Sequence, residues 1–547
     1  MTGLLEGTVG WPEETARAYR AAGLWRGETL GGLLAAWAKR SGDATAVVSG
    51  DERLSYRDLD RRAAERAAGL LALGVRSGDR LVVQLPNTAE FVVLLFGLLR
   101  IGAVPVLALP AHRRTEILHL AELSQAVGYV IADVREGFDY RDLAAEVVAA
   151  VPSVRQVLVL GDPGPYTALA DVSGDPAGPE DAVPVAPSDV AVLLISGGTT
   201  GRPKLIPRTH DDYAYNARAA AEVCGLTEAD RYLVALPVAH NFPLACPGVL
   251  GVLGVGGTLV MTESPSPDTA FALVERERVT VTALVPPLAR LWADAAAWSR
   301  LDLSSLRLVQ VGGAKCDTDL ARRLPGALGC DLQQVFGMAE GLLNFTRADD
   351  PFETVATTQG RPLSPSDEVR VVDPDDGSDV PDGEIGELLT RGPYTLRGYY
   401  RAEAYNTTAF TPDGFFRTGD LVRRTPTGHL VVEGRIKDVV NRGGEKVPAT
   451  ELEDLLLAHP AVGLAAVIGL PDADLGERLC AVVVPAAGAE RPPRLKELKA
   501  HLTALGVARF KLPDRLVVLP ELPLTAVGKI SKRDLVARLT SEEGPRP

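Results

Sequence analysis

Residues 196–204 read Ser-Gly-Gly-Thr-Thr-Gly-Arg-Pro-Lys and follow directly on an apolar, β-like run at residues 191–196. These residue types suit a phosphate. Backbone N–H groups at Gly197, Gly198 and Gly201 can approach an anion because no side chain intervenes, while Thr199 and Thr200 add hydroxyl donors and Lys204 adds positive charge. The string begins at Ser196 and departs from the G-x-x-x-x-G-K-[ST] spacing of P-loop proteins. Kinase loop signatures do not accompany it, which disfavours a phosphotransferase.

Four further segments follow in order: Gln334-Val335-Phe336-Gly337-Met338-Ala339-Glu340, Phe416-Arg417-Thr418-Gly419-Asp420, Glu433-Gly434-Arg435-Ile436-Lys437-Asp438 and Leu524-Thr525-Ala526-Val527-Gly528-Lys529. Together with residues 196–204, this set resembles the adenylate-forming (ANL) superfamily of acyl- and aryl-CoA ligases, luciferases and the adenylation enzymes of nonribosomal peptide synthesis. The resemblance spans essentially the whole chain. It implies that a carboxylate attacks the α-phosphate of ATP, expels pyrophosphate and leaves an acyl-AMP. It also implies ATP contacts at Ser196, Gly197, Gly198, Thr199, Thr200, Gly201 and Lys204, at Gly313, Ala314, Phe336 and Gly337, and at Asp420 and Arg435. Phe336 would stack on adenine beside the Gly312-Gly313-Ala314 turn. Asp420, an acceptor-only carboxylate, would take both ribose hydroxyls. Mg2+ is implied at Glu340 and Thr200, since a hard cation bound by oxygen neutralises charge gathering on phosphate. By the same resemblance Lys529 is the catalytic lysine, Lys437 the hinge of a moving C-terminal domain, and Gly443 and Gly444 a passage for a phosphopantetheine arm.

The stretch Ala239-His240-Asn241-Phe242-Pro243-Leu244-Ala245-Cys246-Pro247-Gly248, with the sequence GMAEGLLN at residues 337–344, is similar to the stand-alone aryl-acid adenylating enzymes that start siderophore and related peptide assembly. This implies that Asn241 binds the hydroxyl ortho to the carboxylate and that Phe242 packs the ring. His240 would stand at the mouth of the carboxylate site with a catalytic role, and Gly312 would line the aryl acid. Members for 2,3-dihydroxybenzoate usually carry serine and valine where this chain has Cys246 and Leu343, whereas salicylate members carry cysteine and leucine. A thiol is a poor donor and acceptor, and leucine fills the volume a second hydroxyl needs. Burying a 3-hydroxyl there should cost about 1–3 kcal/mol. Salicylate, or a substituted salicylate, is therefore the expected substrate, with 2,3-dihydroxybenzoate and 3-hydroxypicolinate as alternatives.

The expected acceptor is the phosphopantetheine thiol of an aryl carrier protein in trans, because no G-G-x-S carrier segment precedes the end of the chain at residue 547. Free coenzyme A would instead make the protein an aryl-CoA ligase. An inactive adenylate-binding or carrier-docking module is a third reading, opposed by the joint retention of Thr199, Glu340, Asp420, Arg435 and Lys529.

The elements that must position these residues alternate between helix and strand. Ser55 and Asp58 form a capping signal, and Leu59, Ala63, Ala67 and Leu70 recur at helical spacing until Gly74. The β-rich run RLVVQL follows, then a buried helix over residues 90–99 and a strand over 104–109. Residues 91–110 approach the length of a membrane span, but Arg100, Gly102 and Pro105 favour the helix–strand reading. Alternation continues through RYLVALP, GGTLVM, VTALVPP and RLVQVGG and predicts a largely parallel sheet. Residues 161–188, rich in Pro, Gly, Asp and Ala, read as a surface loop.

The β-like pieces EVRVVD and GELLTRG predict a small β-rich subdomain from near Val355. HLVVEG, AAVIGL, AVVVP, RLVVLP and a helix over 449–457 predict a terminal α+β domain. The expected fold class is α/β: an N-terminal adenylation domain, residues 1–435, of two α/β subdomains plus a small β-rich subdomain. A mobile α+β C-terminal domain, residues 436–547, follows and carries Lys529.

Composition agrees with a large enzyme. The chain has 547 residues, 46% hydrophobic and 23% charged, close to the globular average. Its 57 Lys plus Arg against 71 Asp plus Glu leave a net charge of −14, which argues against a nucleic-acid partner. Cys224, Cys246, Cys316, Cys330 and Cys480 lack zinc-ligand spacing, and the first twenty residues lack a signal-peptide pattern. A cytoplasmic protein with reduced thiols and no membrane segment is expected.

Overall fold

The computed structural model describes residues 4–176, 184–196, 203–442, 445–472, 475–505, 507, 509–525 and 528–541. They form two compact units. The larger comprises residues 4–196, 203–368 and 391–416; the smaller comprises residues 369–390 and the described part of 417–541.

Among the described residues, the alternation in the larger unit produces two mainly parallel sheets. Six parallel strands of the first run in the order Asp331–Gly337, Leu308–Gly312, Val281–Leu284, Arg231–Val234, Thr258–Met261 and Thr45–Ser49. Glu52–Ser55 closes one edge and Leu343–Phe345 with Arg361–Pro362 the other, all antiparallel. The second sheet runs Leu205–Thr209, Val190–Ile195, Val104–Leu107, Arg80–Gln84, Gly128–Ala132, Gln156–Leu160 and Thr167–Ala168, with only Leu205–Thr209 antiparallel. Central strands such as Val104–Leu107 and Val281–Leu284 are buried throughout, which is why they read as continuous apolar runs.

Helix Tyr56–Ala72 starts where its cap predicts, with Ser55 Oγ accepting from the Asp58 backbone N–H at 3.0 Å. Leu59, Ala63 and Leu70 on its inner face are fully buried. The apolar stretch after Leu85 becomes the 12-residue helix Ala89–Arg100, in which every residue from Phe91 to Leu99 is buried. At 1.5 Å per residue it is too short to span a bilayer. No helix among the described residues is long and apolar enough to cross a membrane.

Three expectations about organisation are corrected. Within 161–188, residues 167–171 form a short strand and a 3₁₀ turn, Leu169 and Val172 are buried, and Arg66 of helix Tyr56–Ala72 donates to both their carbonyls. Val355 lies in helix Phe352–Thr357, and the β-rich segment starts at Glu368. The HLVVEG strand, Leu430–Arg435, pairs antiparallel with Phe416–Arg424 rather than with the C-terminal strands.

In the smaller unit, strands Glu368–Val372, Ile385–Arg391, Phe416–Arg424 and Leu430–Arg435 make one sheet. A second sheet joins Glu445–Pro448, Val439–Arg442, Gly476–Pro485 and Val462–Asp472, with Arg515–Val518 parallel to Gly476–Pro485. Its two-residue alternation separates two cores. Ala465 and Val467 pack with Leu452, Leu456, Leu498 and Leu502 of helices Ala449–Leu457 and Leu495–Ala504. Ala466 and Ile468 pack with Leu535 and Leu539 of helix Lys532–Ser541. The α+β expectation for this region is met.

Candidate active site

In the larger unit, the segment singled out for the aryl acid folds as a short helix, Asn241–Ala245. His240 caps it through Nδ1, which accepts from the Phe242 backbone N–H at 3.2 Å and so leaves the proton of the neutral ring on Nε2. Its first residue, Asn241, is buried and donates through Nδ2 to Cys246 Sγ at 3.3 Å. The Cys246 thiol donates in turn to the Asn241 carbonyl oxygen at 3.4 Å. Burial pushes the thiol up to about 12, so it stays protonated at neutral pH.

Phe242 is buried against the end of strand Leu308–Gly312. A Cβ on Gly312 would stand 3.0 Å from Phe242 Cε1 and 2.6 Å from the Val335 carbonyl oxygen, so only glycine admits the ring there. Val335 is the register partner of Gly312, and Gly337, two residues on, pairs with Leu343 on the neighbouring strand. A Cβ on Gly337 would collide with Leu343 Cδ2. Gly312, Phe242, Gly337 and Leu343 are thus linked through one short helix and three adjacent strands although they span about a hundred residues of sequence. Phe336 is half-buried beside them, its carbonyl accepting from Asn344 Nδ2 at 3.0 Å. Gly313 is half-buried and Ala314 exposed in the turn that follows Gly312.

Of the phosphate-loop string, Ser196 and Lys204 lie within the described residues, and they meet: Ser196 N–H donates to the Lys204 carbonyl at 2.9 Å and Lys204 N–H to Ser196 Oγ at 3.0 Å. Gly197, Gly198, Thr199, Thr200 and Gly201 lie outside the described residues, as do Gly443 and Gly444. Lys204 Nζ sits 3.8 Å from the centre of the Tyr405 ring and 5.7 Å from that of Tyr399, a cation–π arrangement. The Tyr399 hydroxyl donates to Glu340 Oε1 at 2.8 Å, and the Glu340 carbonyl accepts from Leu396 N–H at 2.7 Å.

Sequence reasoning missed Tyr399 and Tyr405, and it missed the buried network behind the aryl segment. Helix His210–Val223 opens with a capping box in which Asp212 accepts from Thr209 N–H and Oγ1, both at 2.7 Å. Arg208, fully buried, donates to Asp212 at 2.7 Å, to Asn216 at 3.3 Å and to the Ala339 carbonyl at 3.1 Å. Asn216 donates to the Ala245 carbonyl at 2.7 Å, and the Tyr213 hydroxyl donates to Asn241 Oδ1 at 2.8 Å. The T-x-x-D signal at 209–212 could have located this helix start, but no local pattern announces where its side chains point.

In the smaller unit, Asp420 and Arg435 are register partners on antiparallel strands, and Arg435 Nε lies 2.8 Å from Asp420 Oδ1. Asp420 is buried, and its backbone N–H donates to Thr418 Oγ1 at 3.0 Å. Lys437 is exposed in the 3₁₀ turn Ile436–Asp438 that follows immediately. Lys529 is held by Thr525, whose N–H donates to the Lys529 carbonyl at 2.6 Å and whose Oγ1 accepts from Lys529 N–H at 3.1 Å. All five cysteines are free, and no group of three or more His, Cys, Asp or Glu side chains that could hold a metal occurs among the described residues.

Comparison with known proteins places this geometry. A family model described as AMP-binding enzyme matches residues 34–400, and one described as AMP-binding enzyme C-terminal domain matches residues 451–529. The chain is 53% identical over 533 residues to the 2,3-dihydroxybenzoate-AMP ligase of Bacillus subtilis (strain 168), covering 97% of both. It is 54% identical over 548 residues to a salicyl-AMP ligase / salicyl-S-ArCP synthetase of Mycobacterium tuberculosis, covering 99% of this chain and 96% of that relative. Its structure is similar to the apo structure of Mycobacterium smegmatis MbtA, with a TM-score of 0.77, 55% identity, and coverage of 98% of this chain and 100% of that one.

Proposed function

The chain belongs to the AMP-binding enzyme family, and on that premise we propose that it is an aryl-acid-AMP ligase whose substrate is salicylate or a substituted salicylate. Enzymes of this family use ATP. In the first step a carboxylate oxygen of the aryl acid bonds to the α-phosphorus, the bond to the bridging oxygen of pyrophosphate breaks, and aryl-AMP remains. In the second, a thiol sulfur attacks the acyl carbon, AMP leaves, and the thiol proton passes to solvent. The proposed acceptor is the phosphopantetheine thiol of an aryl carrier protein, in keeping with the salicyl-S-ArCP synthetase among the relatives.

The observation that carries the aryl-acid reading is the linked set Asn241, Phe242, Cys246, Gly312 and Leu343. The set combines a buried amide, a ring packed on glycine, a protonated thiol and an apolar wall. A flat ring with one polar ortho substituent matches such a lining. His240 would face the carboxylate with its Nε2–H.

The residues proposed for ATP are Ser196, Lys204, the 197–201 loop, Gly313, Ala314, Phe336, Gly337, Asp420 and Arg435. An Asp420 carboxylate that already holds Arg435 in place is set as an acceptor for the ribose diol. Lys529 supplies fixed positive charge to the adenylation step, Lys437 is the proposed pivot of residues 436–547, and Gly443–Gly444 the proposed passage for the thiol arm. Mg2+ fits the donor set here: Glu340 keeps Oε2 clear of the Tyr399 hydroxyl, and Mg2+ is usually held by one or two carboxylates plus substrate phosphates. Glu340 and Thr200 would hold it, and it would neutralise charge on the phosphate oxygens.

Substrate-dependent ATP–pyrophosphate exchange tests the reading with salicylate, 6-methylsalicylate, 2,3-dihydroxybenzoate, 3-hydroxypicolinate, benzoate and a fatty acid. Strongest exchange with salicylates is expected. Exchange confined to 2,3-dihydroxybenzoate or 3-hydroxypicolinate would overturn the roles of Cys246 and Leu343, and none with any acid would favour a binding module. Thioester formation on a carrier protein compared with free coenzyme A then decides the acceptor.

A further inference from the structure

Tyr213 belongs to none of the family segments. It lies fully buried on helix His210–Val223, and its hydroxyl donates to Asn241 Oδ1 at 2.8 Å. The ring is pinned: the Arg208 guanidinium sits 4.6 Å from its centre, itself tied to Asp212, Asn216 and the Ala339 carbonyl. Burial holds the phenol well above its ordinary range, so it remains a donor at any working pH.

A primary amide has one acceptor oxygen and two N–H donors. In Asn241 the oxygen is engaged by Tyr213, and one N–H goes to Cys246 Sγ. The Cys246 thiol proton is spent on the Asn241 main-chain oxygen, so the sulfur faces the amide as an acceptor. The other orientation leaves groups unpaired: turning the amide over would set its oxygen against a sulfur whose proton is already spent, and the phenol, then accepting an N–H, would have no acceptor for its own proton among the described residues. The second Asn241 N–H has no acceptor among the described residues.

We infer that Tyr213 is a specificity-positioning residue: by engaging Oδ1 it makes Asn241 present an N–H to the aryl acid, so the ortho substituent must accept a hydrogen bond. The inference rests on the reading, proposed above, that Asn241 meets the ortho group. Salicylate satisfies it, since its hydroxyl proton bonds internally to its own carboxylate and leaves the oxygen lone pairs outward. 2-Aminobenzoate has nearly the same shape, but its nitrogen lone pair is delocalised into the ring and its outward atom is an N–H. Donor would face donor. A site built to bond a particular substituent rejects the analogue that leaves its buried group unpaired.

The test compares kcat/KM in ATP–pyrophosphate exchange for salicylate, 2-aminobenzoate and benzoate across the unaltered protein, Tyr213→Phe and Asn241→Ala, with the KM for ATP as control. Tyr213→Phe keeps the ring and removes only the hydroxyl. The unaltered enzyme should prefer salicylate to 2-aminobenzoate by about ten-fold or more. Tyr213→Phe should shrink that ratio by about five-fold or more, since the freed amide can turn its oxygen to the amine, while benzoate and the KM for ATP change less than about two-fold. A ratio unchanged in Tyr213→Phe but collapsed in Asn241→Ala overturns the role of Tyr213 and leaves that of Asn241. A ratio unchanged in Asn241→Ala overturns the reading on which the inference rests. Equal loss with all three acids makes Tyr213 a packing residue and also overturns it. Should Tyr213→Phe fold poorly, the unaltered enzyme decides with 2-fluorobenzoate, which accepts weakly and cannot donate: activation of 2-aminobenzoate ahead of it refutes the required polarity, and the reverse order supports it.

Discussion

The ring of Phe242 rests on Gly312, so closely that a Cβ added to the glycine would lie 3.0 and 3.1 Å from Phe242 Cε1 and Cζ. The same Cβ would stand 2.6 Å from the Val335 carbonyl oxygen, on the strand that leads into Phe336 and Gly337. Gly312→Ala should therefore displace the ring, and with it the space proposed for the aryl acid, rather than merely perturb a strand end. We expect the KM for salicylate to rise about ten-fold or more while the KM for ATP moves little, as for a group that loses about 1–3 kcal/mol of packing complementarity. Steady-state exchange kinetics with each substrate varied in turn measures both.

Burial pushes the Cys246 thiol up, and the thiol bonds both the side chain and the main-chain oxygen of Asn241. A serine hydroxyl at that position keeps both roles and adds a stronger acceptor. Cys246→Ser should raise the 2,3-dihydroxybenzoate to salicylate ratio of kcat/KM by about ten-fold, corresponding to roughly one hydrogen bond. An unchanged ratio would remove Cys246 from substrate choice.

Lys529 is held by paired main-chain and side-chain bonds to Thr525. Replacing it with alanine removes the ammonium but leaves the main-chain bond to Thr525 available. Adenylation should fall by about a hundred- to a thousand-fold, the usual cost of deleting one preorganised electrostatic group. Transfer from supplied aryl-AMP to the thiol should persist, and equal loss of both half-reactions would sink the assignment.

The Tyr399 hydroxyl fixes one oxygen of Glu340 at 2.8 Å. Tyr399→Phe frees that carboxylate to rotate, which raises the ordering cost of any cation it holds. The Mg2+ concentration for half-maximal exchange should rise about three- to ten-fold, equivalent to about one hydrogen bond. Titration of Mg2+ at saturating ATP reads this directly.

Acid should destabilise the larger unit through His210. This ring is almost wholly buried, accepts from Leu30 N–H through Nδ1 at 3.1 Å, and is pushed down to about 4 by burial. Its folded value lies below the unfolded value of 6.5, so between those limits the unfolded chain binds the extra proton. Stability is then fully present above about pH 6.5 and declines as pH falls towards 4, by about 3 kcal/mol at most from this residue. His210→Asn, which retains an acceptor for Leu30, should flatten that decline in urea unfolding measured from pH 7 to pH 4.

Much of the fold was legible because local rules agreed with the tertiary outcome. Ser55 with Asp58 marked a helix start that a capping box realises, and runs such as VTALV announced strands buried on both faces. The errors came where local composition and tertiary pairing diverged. Residues 167–172 look like loop but bury Leu169 and Val172, and their carbonyls are bonded by Arg66, more than a hundred residues earlier. HLVVEG reads the same whichever strand it joins, and its partner was set by the Asp420–Arg435 register.

For the site, the residue types and their order in the chain were sufficient, through the family resemblance they carry, to propose the chemistry: glycines and hydroxyls for phosphate, Glu340 for a cation, and an Asn-Phe pair with Cys246 for an aromatic acid. Side-chain identity decides what a group can donate, accept or fill, and that is written residue by residue. What only the tertiary structure decided is polarity and company. No local pattern tells that Tyr213 engages Asn241 Oδ1, that Arg208 joins the Ala339 carbonyl to the helix behind the aryl segment, or that Tyr399 and Tyr405 flank Lys204 and Glu340. Those contacts depend on where separate helices and strands come to rest, and hydrogen-bond direction exists only once both partners are in place.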